Sequence, residues 1–211
     1  IMERVMDVLD LYMDYIRPRR LLYIAVDGVC PVAKIVQQRK RRYCAARDAA
    51  KGAWDSNCIT PGTPFMDALS VALQGYVVER MNTSAYWSGL TVILSDASCP
   101  GEGEYKIFDF LRRQSEDPTF AAQTHCVYGM DADLIMLSLA SLLPRVYIFR
   151  EEMTFPAKCK VCGGRHKTKH HDSPPQHARL LLCNPNELRA WLLEKARANC
   201  GDGFDEMCVV F

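Results

Sequence analysis

At 211 residues and a formal net charge of +1, the chain is long enough for one sizeable domain or two small ones and carries no global excess of either sign. Its 49% apolar and 24% charged content is that of a soluble globular protein, so any nucleic-acid-binding signal must be local. The longest run resembling a membrane segment, Leu134 to Leu143, is too short to span a bilayer and carries serines, and nothing at the start reads as a signal peptide. Of ten cysteines, Cys30, Cys44, Cys58, Cys99, Cys126 and Cys183 stand alone in apolar or helical patterns and read as buried free thiols. That usage points to a reducing, intracellular compartment rather than a disulfide framework. Ile1 lies inside a helical pattern and Met207 to Phe211 is apolar, so both ends read as cuts.

In chain order, Val5, Leu9, Tyr12 and Ile16 recur at helical spacing, which predicts an amphipathic helix over 3–16, ended by Pro18. Leu21 to Val26 is an unalternating apolar run, the pattern of a buried parallel strand, broken by Asp27-Gly28. A basic helix follows from Val32 to about Lys51, then a loop from Asp55. Thr63 and Pro64 are an N-cap and first-turn proline for a helix to about Met81. Leu90 to Leu94 predicts a second strand, followed by a Pro-Gly turn and a helix from about Glu102. His125 to Tyr128 predicts a third strand with a helix to about Leu143, and Arg145 to Phe149 a fourth. Strand–helix alternation of this kind predicts an α/β fold, a mostly parallel sheet flanked by helices. Residues 156–179 lose apolar periodicity and are rich in Lys, Arg, His, Pro and Cys, so 153–179 reads as a basic insertion. Order returns at Leu180, and Asn184-Pro185-Asn186-Glu187 opens a helix to about Asn199.

Three strand ends deliver acid: Asp27 after the first, Glu102 and Glu104 after the second, Asp131 and Asp133 after the third. The carboxyl ends of strands in one open parallel sheet share a rim, where sites form. Carboxylates gathered there repel unless cations neutralise them, and an all-oxygen set suits two Mg²⁺ or Mn²⁺ ions. Phosphodiester hydrolysis is the chemistry that uses such a pair, about 4 Å apart. The alternative is that the acids only complement helix dipoles.

Lys34, Gln38, Arg41 and Arg42 fall on one helical face just after Asp27, suited to capturing a phosphate. Arg39, Lys40, Arg47 and Lys51 widen the basic field. Read alone, such a run is a solvated helix face. Cys159-x-x-Cys162 with His166, His170 and His171 offers ligands for one structural Zn²⁺, or is a basic loop with incidental histidines.

The motifs resemble those of the Xrn-type 5′→3′ exoribonucleases. The matching segments are Arg17 to Arg42, Trp54 to Met66, Leu94 to Ile107, Val127 to Ala140, and Phe149-Arg150-Glu151-Glu152, in family order. The resemblance implies a fold related to the PIN and flap-endonuclease group. It also implies processive, metal-dependent removal of nucleotides from single-stranded RNA bearing a 5′-monophosphate. By it, Asp27, Glu102, Glu104, Asp131 and Asp133 bind two divalent ions, and Lys34, Gln38, Arg41 and Arg42 hold the 5′-phosphate. It divides the chain into 1–152, the first part of a catalytic domain, the 153–179 insertion, and 180–211, a truncated continuation.

The nuclear branch carries a zinc knuckle after the Arg-Glu-Glu segment, which slightly favours the nucleus over the cytoplasm. Its Cys-x2-Cys-x4-His-x4-Cys pattern is not met, because Lys167 and Asp172 stand at the His and last Cys positions. An acid before Ile1 and an Asp beyond Phe211 would complete the family's site, so this stretch alone is expected to be inactive or poorly active. Accessory proteins are common in the family, but no segment identifies one. Rival readings are a catalytically dead RNA-binding relative, a structure-specific flap nuclease, and a zinc-binding RNA module on an α/β scaffold.

Overall fold

The computed structural model describes residues 1–48, 54–152 and 179–200. It divides into two compact units, Ile1–Leu111 and Arg112–Phe211.

The first unit opens with helix α1 (Met2–Ile16), stopped at Arg17, which takes a left-handed conformation and donates its N–H to the Met13 carbonyl. Strand β1 (Leu21–Ala25) follows, then the basic helix α2 (Val32–Asp48). A 3₁₀ turn at Ser56–Cys58 leads to α3 (Pro64–Thr83), where the Thr63 side chain caps the Met66 N–H and proline sits in the first turn, as the sequence predicts. A short helix α4 (Ala85–Ser88), strand β2 (Thr91–Ser95) and α5 (Gly103–Gln114) follow.

β1 and β2 pair in parallel, Leu21 opposite Thr91 through Ala25 opposite Ser95. Such pairing needs a crossover, which α2, α3 and α4 supply. The core of this unit is Met13, Ile24, Tyr76, Val77, Trp87 and Leu90. Tyr76 packs edge-on against Trp87, centroids 5.6 Å apart, and its hydroxyl donates to Asp10 at 2.7 Å. Arg80 also bonds Asp10, so α3 is pinned to α1 by a polar pair as well as by apolar packing.

The second unit holds α6 (Pro118–Ala121), β3 (His125–Tyr128), α7 (Asp133–Ala140), β4 (Val146–Glu151), β5 (Leu180–Cys183) and α8 (Pro185–Cys200). β3 pairs with β4 in parallel and β4 with β5 antiparallel. Val127, Leu134, Leu139, Leu143, Val146, Ile148 and Phe149 are buried. At the start of α8 the Asn186 N–H donates to the Asn184 side chain, and the Asn184 amide donates to Glu187 at 3.0 Å.

The α/β class is as expected, but the single sheet is not. Among the described residues there are two sheets, β1-β2 and β3-β4-β5. Strand–helix alternation predicts parallel neighbours within a crossover unit but does not say which units pair. β5 was not anticipated as a strand. The lone cysteines are also not buried: Cys99 and Cys126 are exposed and the other four half-buried, all as free thiols. No helix among the described residues is long and apolar enough to cross a membrane.

Candidate metal and phosphate site

In the first unit the two strand ends are locked to each other through main chain. The Val26 N–H extends the β1-β2 ladder to Ser95 O at 2.9 Å. Past the strands, the Gly28 N–H donates to Gly101 O at 2.8 Å and the Gly101 N–H to Val29 O at 2.9 Å. Gly101 has φ +102°, a conformation glycine adopts freely. At Gly28 the reason for glycine is space, since a Cβ there would lie 1.8 Å from the Cys99 carbonyl oxygen.

This crossing delivers Asp27 to the start of α5, where its carboxylate accepts the Gly103 N–H at 2.6 Å. Glu102 is 6% exposed and Glu104 half-buried. Burial first, and then the Asp27 and Glu102 charges, push the Glu104 carboxyl above its usual range, despite a backbone hydrogen bond and Lys34 acting in the opposite direction. Such a group of carboxylates offers only oxygen, and its mutual repulsion is what a hard divalent cation relieves. The donor set therefore fits Mg²⁺ or Mn²⁺.

Lys106, not singled out in the sequence, holds this arrangement from behind. Its ammonium donates to Val26 O at 2.9 Å and Asp96 O at 2.8 Å, tying the ends of both strands to α5. Burial lowers its pKa, partly offset by the Cys99, Asp96 and Asp27 charges.

α2 presents its residues as the 3.6 period requires, and none is buried. The Lys34 ammonium contacts the Glu102 carboxylate at 2.8 Å, joining the basic helix to the acidic group. Further along, Gln38, Arg41 and Arg42 line an open cleft of about 150 Å³, faced by Ser56, Asn57, Ile59 and Thr60 of the 3₁₀ turn and the residues after it. Thus the structure brings Lys34 to the carboxylates and the other three to a shared cleft. The facing polar residues were missed because the sequence showed only a loop there; Asp55, which caps the Asn57 N–H, was the available signal.

In the second unit Asp131 and Asp133 follow β3, both exposed, with the Asp133 N–H donating to Asp131 at 3.2 Å. Arg150 supports their loop by donating to Met130 O at 3.0 Å. Cys159, Cys162, His166, His170 and His171, read as zinc ligands, lie outside the described residues.

Comparison with known proteins agrees with the motif reading. Residues 1–152 match the family described as the XRN 5'-3' exonuclease N-terminus. The chain is 45% identical over 190 residues to 5'-3' exoribonuclease 2 of Gallus gallus, covering 77% of this chain and 20% of that protein. It is 43% identical over 195 residues to 5'-3' exoribonuclease 2 of Schizosaccharomyces pombe, covering 80% and 19% respectively. For the Drosophila melanogaster 5'-3' exoribonuclease 2 homolog the figures are 43% over 192 residues, 77% and 21%. The chain therefore spans about a fifth of the length of these curated relatives.

Proposed function

This chain belongs to the XRN 5'-3' exonuclease family, and on that premise we propose that the protein is a metal-dependent 5′→3′ exoribonuclease. Its substrate is single-stranded RNA with a 5′-monophosphate, and its products are mononucleotides. The observation that carries the reading is the contact between Lys34 and Glu102, which sets the basic face of α2 beside the carboxylates at the ends of β1 and β2.

Asp27, Glu102, Glu104, Asp131 and Asp133 are the residues we assign to two Mg²⁺ or Mn²⁺ ions. Bound there, the ions would lower the pKa of a water and neutralise charge on the reacting phosphodiester. The chain's own part is to position. Asp27 is oriented by the Gly103 N–H, and Glu102 is held by Lys34. Lys34, Gln38, Arg41 and Arg42 capture the terminal phosphate through charge-assisted hydrogen bonds and thereby set which bond is presented. The fold we assign to the family domain is PIN/flap-endonuclease-like.

We place the protein in the nucleus, on the Cys/His-rich segment that follows Arg150-Glu151-Glu152 and on its likeness to relatives named exoribonuclease 2. One Zn²⁺ at Cys159 and Cys162, completed from His166, His170 and His171, is part of that assignment, and metal analysis of the purified protein tests it.

The test of the catalytic assignment is Glu102→Ala with Glu104→Ala in the full-length protein. Hydrolysis of RNA should fall by more than about a hundredfold, beyond the cost of losing an outer-shell partner, while RNA binding in EDTA persists. Retained hydrolysis would remove the acids from the reaction.

A further inference from the structure

We propose that the 3₁₀ turn at Ser56–Cys58 forms the second wall of the terminal-phosphate cleft, with the Ser56 hydroxyl as a phosphate ligand and Asn57 as the residue that positions Arg42. This rests on the phosphate-capture reading above and extends it to residues outside the basic helix.

The cleft has one cationic wall and one neutral wall. Gln38, Arg41 and Arg42 stand on the α2 side, and Ser56, Asn57 and Thr60 on the other. At about 150 Å³ it matches a cavity that takes up a molecule the size of benzene, which is the scale of a phosphate group and well short of a nucleotide. A phosphate oxygen only accepts hydrogen bonds, so the neutral wall contributes through its donors.

Those donors are unequally committed. The Thr60 hydroxyl already donates to Asn57 O at 2.8 Å. The Asn57 side-chain amide donates to the Arg42 carbonyl at 3.3 Å, and its backbone N–H to the Asp55 carboxylate at 3.0 Å. The Ser56 hydroxyl, exposed on the same wall, makes no side-chain hydrogen bond among the described residues. It is therefore the neutral group left to meet a ligand. Asn57 has a different task. Its amide fixes the main chain of α2 at Arg42, so the turn and the backbone that carries the guanidinium hold a constant separation. A clamp of this kind lowers the ordering cost of binding rather than adding a contact to the ligand.

The experiment uses the full-length protein and two fluorescent RNA oligonucleotides alike except for a 5′-monophosphate or a 5′-hydroxyl. Binding is followed by anisotropy in EDTA. Ser56→Ala should weaken the phosphorylated RNA roughly tenfold, the scale of a lost hydrogen bond to a charged group, with a much smaller effect on its hydroxyl twin. Ser56→Thr, which keeps the hydroxyl, should restore most of the preference. Asn57→Ala should erode the preference by a smaller factor, and in turnover with Mg²⁺ it should raise KM more than it lowers kcat.

Equal losses on both RNAs would make the turn a structural element only and overturn the proposal. So would no change in either variant. If the unsubstituted protein itself binds the two RNAs equally, the phosphate-capture reading falls, and this proposal with it.

Discussion

Two strand ends in this chain set an acid beside or near a glycine, and they are built differently. After β1, Gly28 is jammed against the Cys99 carbonyl, and the next chain crossing is hydrogen-bonded to it in both directions. After β3, Gly129 faces only the end of the Leu134 side chain, where a Cβ would come within 2.4 Å of Cδ1. Glu102, at the crossing after β2, is 6% exposed and ion-paired; Asp131 and Asp133 are exposed and make one local bond. The difference separates two ways of presenting carboxylates. One group is fixed by backbone contacts that the fold itself requires. The other is carried on an exposed loop, where Arg150 donates to the Met130 carbonyl.

The largest expected effect breaks the comparison at function while leaving it intact at stability. Asp131→Ala with Asp133→Ala should cost as much RNA hydrolysis as the Glu102/Glu104 pair, more than about a hundredfold. Yet it should shift Tm by less than about 2 °C, because exposed carboxylates with one local contact contribute little. Glu102→Ala should lower Tm by several degrees, since a buried hydrogen bond to a charged partner is worth about 1–3 kcal/mol. Equal Tm losses would mean the two groups are equally built in.

Next come the glycines themselves. Gly28→Ala must move backbone and should cost more than about 3 kcal/mol in urea unfolding, at the upper end of overpacking effects. Gly129→Ala needs only a rotamer change at Leu134 and should cost about 1 kcal/mol. A reversal of that order would show that the first crossing is the looser one.

The smallest effect is a pH dependence confined to the second unit. Burial lowers the pKa of His125 from its ordinary 6.5, while its contact with the Phe120 carbonyl opposes the shift. The unfolded chain therefore takes up the proton first. Stability contributed by neutral His125 is present above pH 6.5 and falls as pH drops from there towards the folded pKa. His125→Gln should flatten that part of the Tm–pH curve between neutral and mildly acid pH. An unaltered slope would show that other groups set it.

Much of this was legible in the residues. Thr63-Pro64 marked the start of α3 because a hydroxyl N-cap and a first-turn proline each satisfy a local backbone demand. Asp27-Gly28 marked the end of β1, since the apolar run stops there. The acids and the basic face of α2 were visible as spacing. What was hidden is whatever depends on partners distant in sequence. Lys34 and Glu102 are 68 residues apart, and nothing local says that they touch. The pairing of β3 with β4 and β5, apart from β1 and β2, is likewise a choice of neighbours. Short helices were hidden for another reason, because four residues cannot display a helical period. α6 could still have been read from Asp117-Pro118, an N-cap followed by a first-turn proline. β5 is an unalternating apolar run like β1, but only four residues long and set between the basic insertion and the Asn184-Pro185 helix start, where it read only as a return of order.

The central claim is that the acids and the α2 cleft serve one reaction on a 5′-phosphorylated end. Its most direct measurement is mononucleotide release by the full-length protein with Mg²⁺, from 3′-labelled single-stranded RNA carrying a 5′-monophosphate or a 5′-hydroxyl. Stepwise release from the phosphorylated RNA is expected, with little or none from the other. Equal degradation of both would keep the nuclease and contradict the role of Lys34, Gln38, Arg41 and Arg42. Binding without degradation of either would contradict the reaction itself.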